Sequence, residues 1–281
     1  MGISVAKQSY GKSQVCLSFI DRGNEQHNFT QLVADISLEG DFDAAYIEGD
    51  NSKVVPTDTM KNSVYAMARE HGIDSLETFG RQLSNHFYES FEQISVASVA
   101  LSQLLWNRMD LDGEKHGHAF TGGGSEKNTV TSISSAAGVK LRSGLSGLQV
   151  LKTSGSGFEG FHKDKFTTLK ETSDRIFATT ISANWPCRDV HYDWTKTRGT
   201  IRNLLLDVFA HQYSPSVQKT LYDMAQSVLA ACSQIDEISL DMPNQHHLLV
   251  DMQRLNLENQ NDIFLPSPEP FGVISGTVKR D

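Results

Sequence analysis

The chain has 281 residues, 38% of them hydrophobic and 21% charged, which suits a packed globular core and argues against disorder. Its net charge of −9 argues against a broad nucleic-acid or anionic-membrane surface, since both need clustered Lys and Arg. Three scattered cysteines, Cys16, Cys187 and Cys232, make neither a disulfide framework nor a metal knuckle and point to a reducing compartment. The first residues have no apolar signal core, no run approaches transmembrane length, and the last three residues are not a peroxisomal tripeptide, so cytoplasm is the expected location.

In chain order, residues 14–19 and 31–46 read as strands, the second alternating through Leu32, Ala34, Ile36 and Leu38. A helix follows from Asp58 with Met60, Val64, Met67 and Ala68 at helical spacing, and Thr57-Asp58 stands at its cap position. A second helix is expected after Asp74, which with Glu77 forms a capping box. Its apolar face is Leu76, Phe79, Leu83 and Phe87. Two extended regions close this half, 93–106 and 119–139, with Gly122-Gly123-Gly124 marking a turn or loose loop.

The same order then returns. Residues 149–152 and 175–185 read as strands, and Ile201, Leu204, Leu205, Val208 and Phe209 mark a helix. Ser214-Pro215 is expected to open the next helix, whose stripe is Val217, Leu221, Met224, Ala225, Val228 and Leu229. Strands are expected at 237–242, 246–252 and 272–278. Each half therefore reads strand, strand, helix, helix, strand, strand. Two ββααββ repeats, 1–140 and 141–281, imply an α+β fold of antiparallel sheet with helices on one face. Its open edges would be removed by assembly into a barrel.

Several local patterns have bland readings. Gly155-Ser156-Gly157-Phe158-Glu159-Gly160 matches a dinucleotide fingerprint, but no amphipathic helix follows and Thr180-Ile181 stand where an acidic ribose ligand belongs. A flexible loop that presents Phe158 fits better. His116, His118, His246 and His247 lack a carboxylate or thiol at ligand spacing, and strand alternation sends adjacent histidines to opposite faces, so no metal site is expected. Arg175 beside Asp174 reads as a solvated ion pair, and Gln218 as a surface residue of a helix's first turn.

Six segments shift that weighing together. They are Tyr10-Gly11-Lys12, Thr57-Asp58-Thr59-Met60-Lys61-Asn62, Gly147-Leu148-Gln149-Val150-Leu151-Lys152-Thr153, the long run from Phe166 to Ile176, Ser216-Val217-Gln218-Lys219-Thr220-Leu221-Tyr222, and Pro243-Asn244-Gln245-His246-His247. With them the chain resembles the urate oxidase (uricase) family over nearly its whole length. The resemblance implies a tandem tunnelling fold that assembles into a tunnel-like barrel. It also implies a homotetramer with active sites at subunit interfaces, and oxidation of urate by O2 and water to 5-hydroxyisourate and H2O2 with no cofactor and no metal. Carried over by position, Phe158 stacks on the purine while Arg175 and Gln218 grip its polar edges. Leu169, Val217 and Ile274 line the pocket, and the backbone at Asp58 meets the ligand's far edge. Thr57 and Asn244 hold O2 or water, and Lys12, Thr57 and His246 relay protons.

These roles are chemically sensible. A guanidinium fork and an amide can read a flat anion in its own plane, and an aromatic ring supplies a stacking face. The electron-rich urate dianion can itself reduce O2. Lys12 can serve as a base if its surroundings lower its pKa. A non-catalytic purine binder would need the clamp alone, yet Lys12, Thr57, Asn244 and His246 are all present. A pterin-processing relative would anchor its ring through a glutamate in the second half, where Gln218 with Arg175 suits urate. One departure is Pro56, where alanine is more usual; proline removes a donor and keeps Val55 extended.

Overall fold

Period-2 and period-3.6 apolar patterns become strands and helices in a computed structural model that describes residues 2–189 and 191–281. Met1, where the first repeat is expected to begin, lies outside the described residues. The chain divides into two units: residues up to Leu145 together with Pro186–Thr195, and Ser146–Trp185 with Lys196–Asp281.

The first unit contains β1 (Tyr10–Asp21), β2 (Asn28–Gly40), a short α1 (Asp43–Ile47), α2 (Thr57–His71), α3 (Leu76–Ser90), β3 (Ile94–Leu111), β4 (Glu114–Ser135) and the start of β5 (Gly138–Lys152). Strands β1 to β4 pair antiparallel in sequence order. The expected alternation holds, for Leu32, Ala34, Ile36 and Leu38 are all buried. So are the predicted helix faces, Met60, Val64, Met67 and Ala68 on α2 and Leu76, Phe79, Leu83 and Phe87 on α3. Helix α3 lies close on its sheet: a Cβ added to Gly80 would come within 3.0 Å of Val130 Cγ1. Beside it, the Ser134 hydroxyl donates to Ser84 Oγ at 2.9 Å, and the Ser84 and Ser132 hydroxyls lie 2.7 Å apart. A buried polar line is thereby satisfied.

Three local expectations are corrected. The strand read over 31–46 ends at Gly40, where the β2–β3 register shifts, and Asp43–Ile47 turn into α1. Gly122-Gly123-Gly124 is neither turn nor loop but runs within β4. There the pairing with β3 slips between Leu104 and Trp106, Gly124 takes φ 84°, and a Cβ on Gly123 would meet Leu105 at 2.7 Å. These glycines serve a bulge and a close approach. The turn is Asp112-Gly113, with φ 55° and 84°, a dipeptide suited to a tight hairpin. The cap of α3 is Ser75, not Asp74: its oxygen accepts from Thr78 N–H, whereas Glu77 is buried and takes the Ser143 hydroxyl at 2.5 Å.

The second unit holds the end of β5, then β6 (Phe177–Pro186), α4 (Trp194–His211), α5 (Val217–Ala231), β7 (Glu237–Asp241), β8 (Asn244–Leu249), a 3-10 turn (Gln253–Leu255), β9 (Phe264–Gly272) and β10 (Ser275–Lys279). Strand β7 pairs antiparallel with β6 and β10, and β8 with β6 and β9. Helix α5 buries its full predicted stripe. Its cap, however, is Ser216, which accepts from Lys219 N–H at 3.2 Å, rather than Ser214. Strand β9 lies outside the expected strands, and it carries prolines at 266, 268 and 270, which disfavour the middle of a sheet. Among the described residues it pairs only with β8, and an edge strand tolerates proline. The Arg280 guanidinium donates to the Leu229 and Cys232 carbonyls and so closes the end of α5. Both units are α+β, with antiparallel strands that leave open edges.

Candidate functional site

In the first unit the Tyr-Gly-Lys run sits at the start of β1. Gly11 is required by closeness, since a Cβ there would lie 1.8 Å from the Ile36 carbonyl oxygen. Lys12 pairs with Ile36, and just beyond it the β1–β2 register shifts before Val15. Tyr10 does the connecting. Its hydroxyl accepts from the Val55 N–H at 2.8 Å and donates to the Val55 carbonyl at 3.2 Å. One side chain thus ties the strand of Lys12 to the chain two residues before Thr57.

Thr57 and Asp58 are the first two residues of α2, not its cap. Pro56 is the cap, and it has no side-chain acceptor for the helix's first turn. Among the described residues, the exposed Thr57 hydroxyl makes no hydrogen bond. Asp58 turns along the helix instead, taking the Lys61 ammonium at 2.5 Å and the Asn62 amide at 2.8 Å. Its carboxyl is held below the usual range, chiefly by the Lys61 hydrogen bond, then by Asn62, with the charge of Lys12 adding a little. Lys12, Thr57 and Asp58 therefore share one neighbourhood.

In the second unit the glycine-rich run is a loop with no helix directly after it, as expected, but it is braced by backbone hydrogen bonds rather than flexible. Phe158 N–H donates to the Thr172 carbonyl at 2.7 Å and Thr172 N–H to the Phe158 carbonyl at 3.2 Å. Gly157 N–H donates to the Ser214 carbonyl, and Ser214 N–H to that of Gly155. Gly157 must be glycine: a Cβ would stand 2.2 Å from the Tyr213 hydroxyl, which itself donates to the Ser173 carbonyl at 2.9 Å. Ser214, expected as a cap, works here as a splice between this loop and the approach to α5.

Asp174 corrects the ion-pair reading. Its carboxylate takes the Ser154 hydroxyl and the Gly155 N–H, each at 2.7 Å, and these bonds hold its pKa below the usual value. Arg175 is left for other work. Its N–H donates to the Ser156 carbonyl at 2.7 Å, and its guanidinium carbon lies 5.3 Å from the Phe158 ring centre. Among the described residues no carboxylate pairs with it, and burial lowers its pKa. A half-buried guanidinium beside an aromatic face has the donors and the flat surface that a planar anion could meet.

The remaining candidates flank this loop. Val217 is buried at the first position of α5, and Gln218 follows it, exposed. Leu169 is exposed on the loop. Asn244 opens β8 opposite Thr179 and Gly272, and a Cβ on Gly272 would touch Ile274 Cδ1 and Asn244 Cβ, so these three positions are neighbours. His246 and His247 both border a cavity of about 390 Å³, along with Thr179 and Gln149. Alternation would send them to opposite faces, but β8 shifts register against β9 between Asn244 and His246. The His116 and His118 rings lie 4.6 Å apart. Among the described residues no three His, Cys, Asp or Glu side chains are grouped to hold a metal ion.

Sequence reasoning missed three supporting residues: Tyr10, Asp174 and Tyr213. Tyr10 was visible inside the Tyr-Gly-Lys motif, but its partner lies 45 residues away. Asp174 was read against its neighbour in sequence rather than its neighbours in space.

The uricase family model matches residues 8–132 and 141–275. A uricase of Arthrobacter globiformis is 39% identical over 279 residues, covering 99% of this chain and 91% of that protein. One from Dictyostelium discoideum is 38% identical over 274 residues, covering 96% of each. The crystal structure of the Arthrobacter globiformis uricase superposes with a TM-score of 0.93 over 100% of this chain and 96% of that one. A Bacillus fastidious uricase at 22% identity, TM-score 0.81, shares the fold over 97% of this chain and 93% of its own.

Proposed function

The chain belongs to the uricase family, and from that premise we propose how its residues oxidise urate. It is a urate oxidase, an oxidoreductase acting on urate. In the reading proposed here, urate gives two electrons to O2, which leaves as H2O2, and water supplies the oxygen that makes 5-hydroxyisourate. No metal or organic cofactor takes part, because the urate dianion is itself the reductant. The protein holds that dianion, places O2 and moves protons.

The observation that supports this reading is Arg175, half-buried, with no carboxylate partner among the described residues and set beside Phe158. Urate's anionic edge completes what the guanidinium lacks, and Gln218 adds a donor and an acceptor. Phe158 stacks on the purine; Leu169, Val217 and Ile274 close around it. Thr57 and Asn244 hold O2 or water above the ring. Lys12 takes protons through the Thr57 hydroxyl, which donates and accepts at once, and His246 completes the relay. The first turn of α2 offers N–H groups at Asp58 to the ligand's far edge.

The same reading treats the chain as two tunnelling-fold repeats, 1–140 and 141–281. Four chains close a tunnel, and each site takes Lys12, Thr57 and Asp58 from one chain and Phe158, Arg175 and Gln218 from its neighbour. Support comes from β1 and β10, each of which, among the described residues, pairs on one side only and leaves an edge to be covered. Among the described residues no helix is long and apolar enough to cross a membrane. With Cys16, Cys187 and Cys232 all free thiols, the cytoplasm is the proposed compartment.

The test is direct. Purified protein in air should remove urate absorbance while releasing peroxide, and dialysis against a strong chelator should leave the rate unchanged. A rate that returns only with copper, iron or flavin overturns the cofactor-free reading.

A further inference from the structure

Phe158 is one half of a stacked pair. The ring of Phe161 lies 4.9 Å from it, centre to centre, with 10° between their planes. That is an offset stack, one of the two favoured aromatic geometries. Gly160, between them, takes φ 68°, a left-handed conformation that glycine adopts freely and that folds the chain back so the rings can meet. The second ring is itself held. Lys163 Nζ stands 5.3 Å from the Phe161 centre and bonds Glu171 at 2.8 Å. Glu171 precedes Thr172, which exchanges two backbone bonds with Phe158. Phe158, Phe161, Lys163, Glu171 and Thr172 therefore close a circuit of contacts.

We propose that Phe161 is a positioning residue for the purine: it backs one face of Phe158 so that the other face is fixed toward the substrate. The bound state is then a three-layer stack of Phe161, Phe158 and urate, with Arg175 reaching the ligand's edge. This rests on the proposed role of Phe158 as the stacking face. A ring has two faces, and Phe161 already covers one. Without it Phe158 samples other rotamers, and binding must meet the cost of ordering it. A backing ring thus acts on affinity, and the proton and oxygen chemistry is untouched.

The test uses xanthine, a flat purine, as the binding probe, with urate turnover measured beside it. Phe161→Leu keeps an apolar side chain and removes the ring. It should raise the xanthine Kd and the urate KM by roughly 3- to 10-fold, with kcat within about two-fold of the parent. Phe161→Tyr keeps the ring and should restore both. In a Phe158→Leu background the Phe161→Leu change should have little further effect, since its partner is gone. An unchanged Kd in Phe161→Leu overturns the proposal. So does tighter binding, which would mean that Phe161 occupies the ligand's own face, and so does an equal loss with and without Phe158. If Phe158→Leu leaves xanthine affinity intact, the stacking role of Phe158 falls first, and this inference with it.

Discussion

The two helix starts that carry site residues are built in opposite ways. At α5, Ser216 caps the first turn and Val217 is buried, so that terminus is closed by its own chain and only Gln218 is left outward. At α2, Pro56 offers no capping side chain, and the Thr57 hydroxyl stays unengaged among the described residues. The same contrast runs through the surroundings. Phe158 and Arg175 are braced by backbone bonds to Thr172, Ser156 and, through Gly157, Ser214. Lys12 and Thr57 are joined by one tyrosine hydroxyl at Val55. A grip must be rigid to read a shape, whereas groups that pass protons must keep free donors and acceptors.

The largest expected effects separate those two jobs. Lys12→Met should lower turnover by about 100-fold or more and leave the Kd of a urate-like inhibitor nearly unchanged. Arg175→Ala should damage both, with inhibitor affinity falling on the order of 10- to 100-fold for loss of a charged hydrogen bond. Steady-state kinetics and inhibitor titration on both variants decide it: equal losses of affinity would erase the division between gripping and proton transfer.

Mixing the same two variants sharpens the contrast further. Each is nearly dead alone, but unfolded together and reassembled they should regain roughly a quarter of parental activity, because random pairing in a symmetric oligomer completes about one site in four. Mixed tetramers with no returning activity would put both halves of the site in one chain.

Tyr10→Phe comes next. Val55 is buried and its N–H would lose its acceptor, at a cost of about 1–3 kcal/mol. Urea denaturation should show that loss, and kcat should fall more than inhibitor affinity, since the latch serves the proton-transfer half. An affinity loss larger than the kcat loss would contradict this.

The smallest effect concerns pH. Asp174 has a pKa lowered by the Ser154 hydroxyl and the Gly155 N–H. A carboxyl depressed in the folded state lends stability above its unfolded value, about 3.9, and loses it as pH falls through the lower folded value. The brace on the Phe158 loop should therefore hold through mildly acidic pH and slacken only below about 4. Asp174→Asn should remove that acid-dependent step from an inhibitor-binding profile. A step that survives the substitution belongs to another group.

Much of the fold was legible because burial repeats along the chain. The apolar faces of α2, α3 and α5 and the alternation of β2 follow from spacing alone, and the family resemblance singled out Lys12, Thr57, Phe158 and Arg175, which lie on loops or near the ends of elements. The errors share one cause. Asp74 and Ser75 are both good cap residues by type, as are Ser214 and Ser216, and the choice depends on which backbone turns into the helix. Three glycines read as a turn because nothing local reveals Leu105 pressed against Gly123. The prolines of β9 disfavour the middle of a sheet, and only pairing shows that it is an edge.

The sequence by itself determined most of the element order, with α1 and β9 missing from it, together with the buried faces and the family, since these rest on residue type and short-range period. The tertiary structure alone decided that Tyr10 reaches Val55, that Asp174 braces the loop of Phe158 rather than pairing with Arg175, and that Phe161 stacks behind Phe158. Each of these is a hydrogen bond or a ring contact whose geometry is fixed by the path of the backbone. A side chain's partner is the group that the fold brings within about 3 Å for a hydrogen bond, or about 5 Å for a ring stack, and neither distance is written in the spacing of residues.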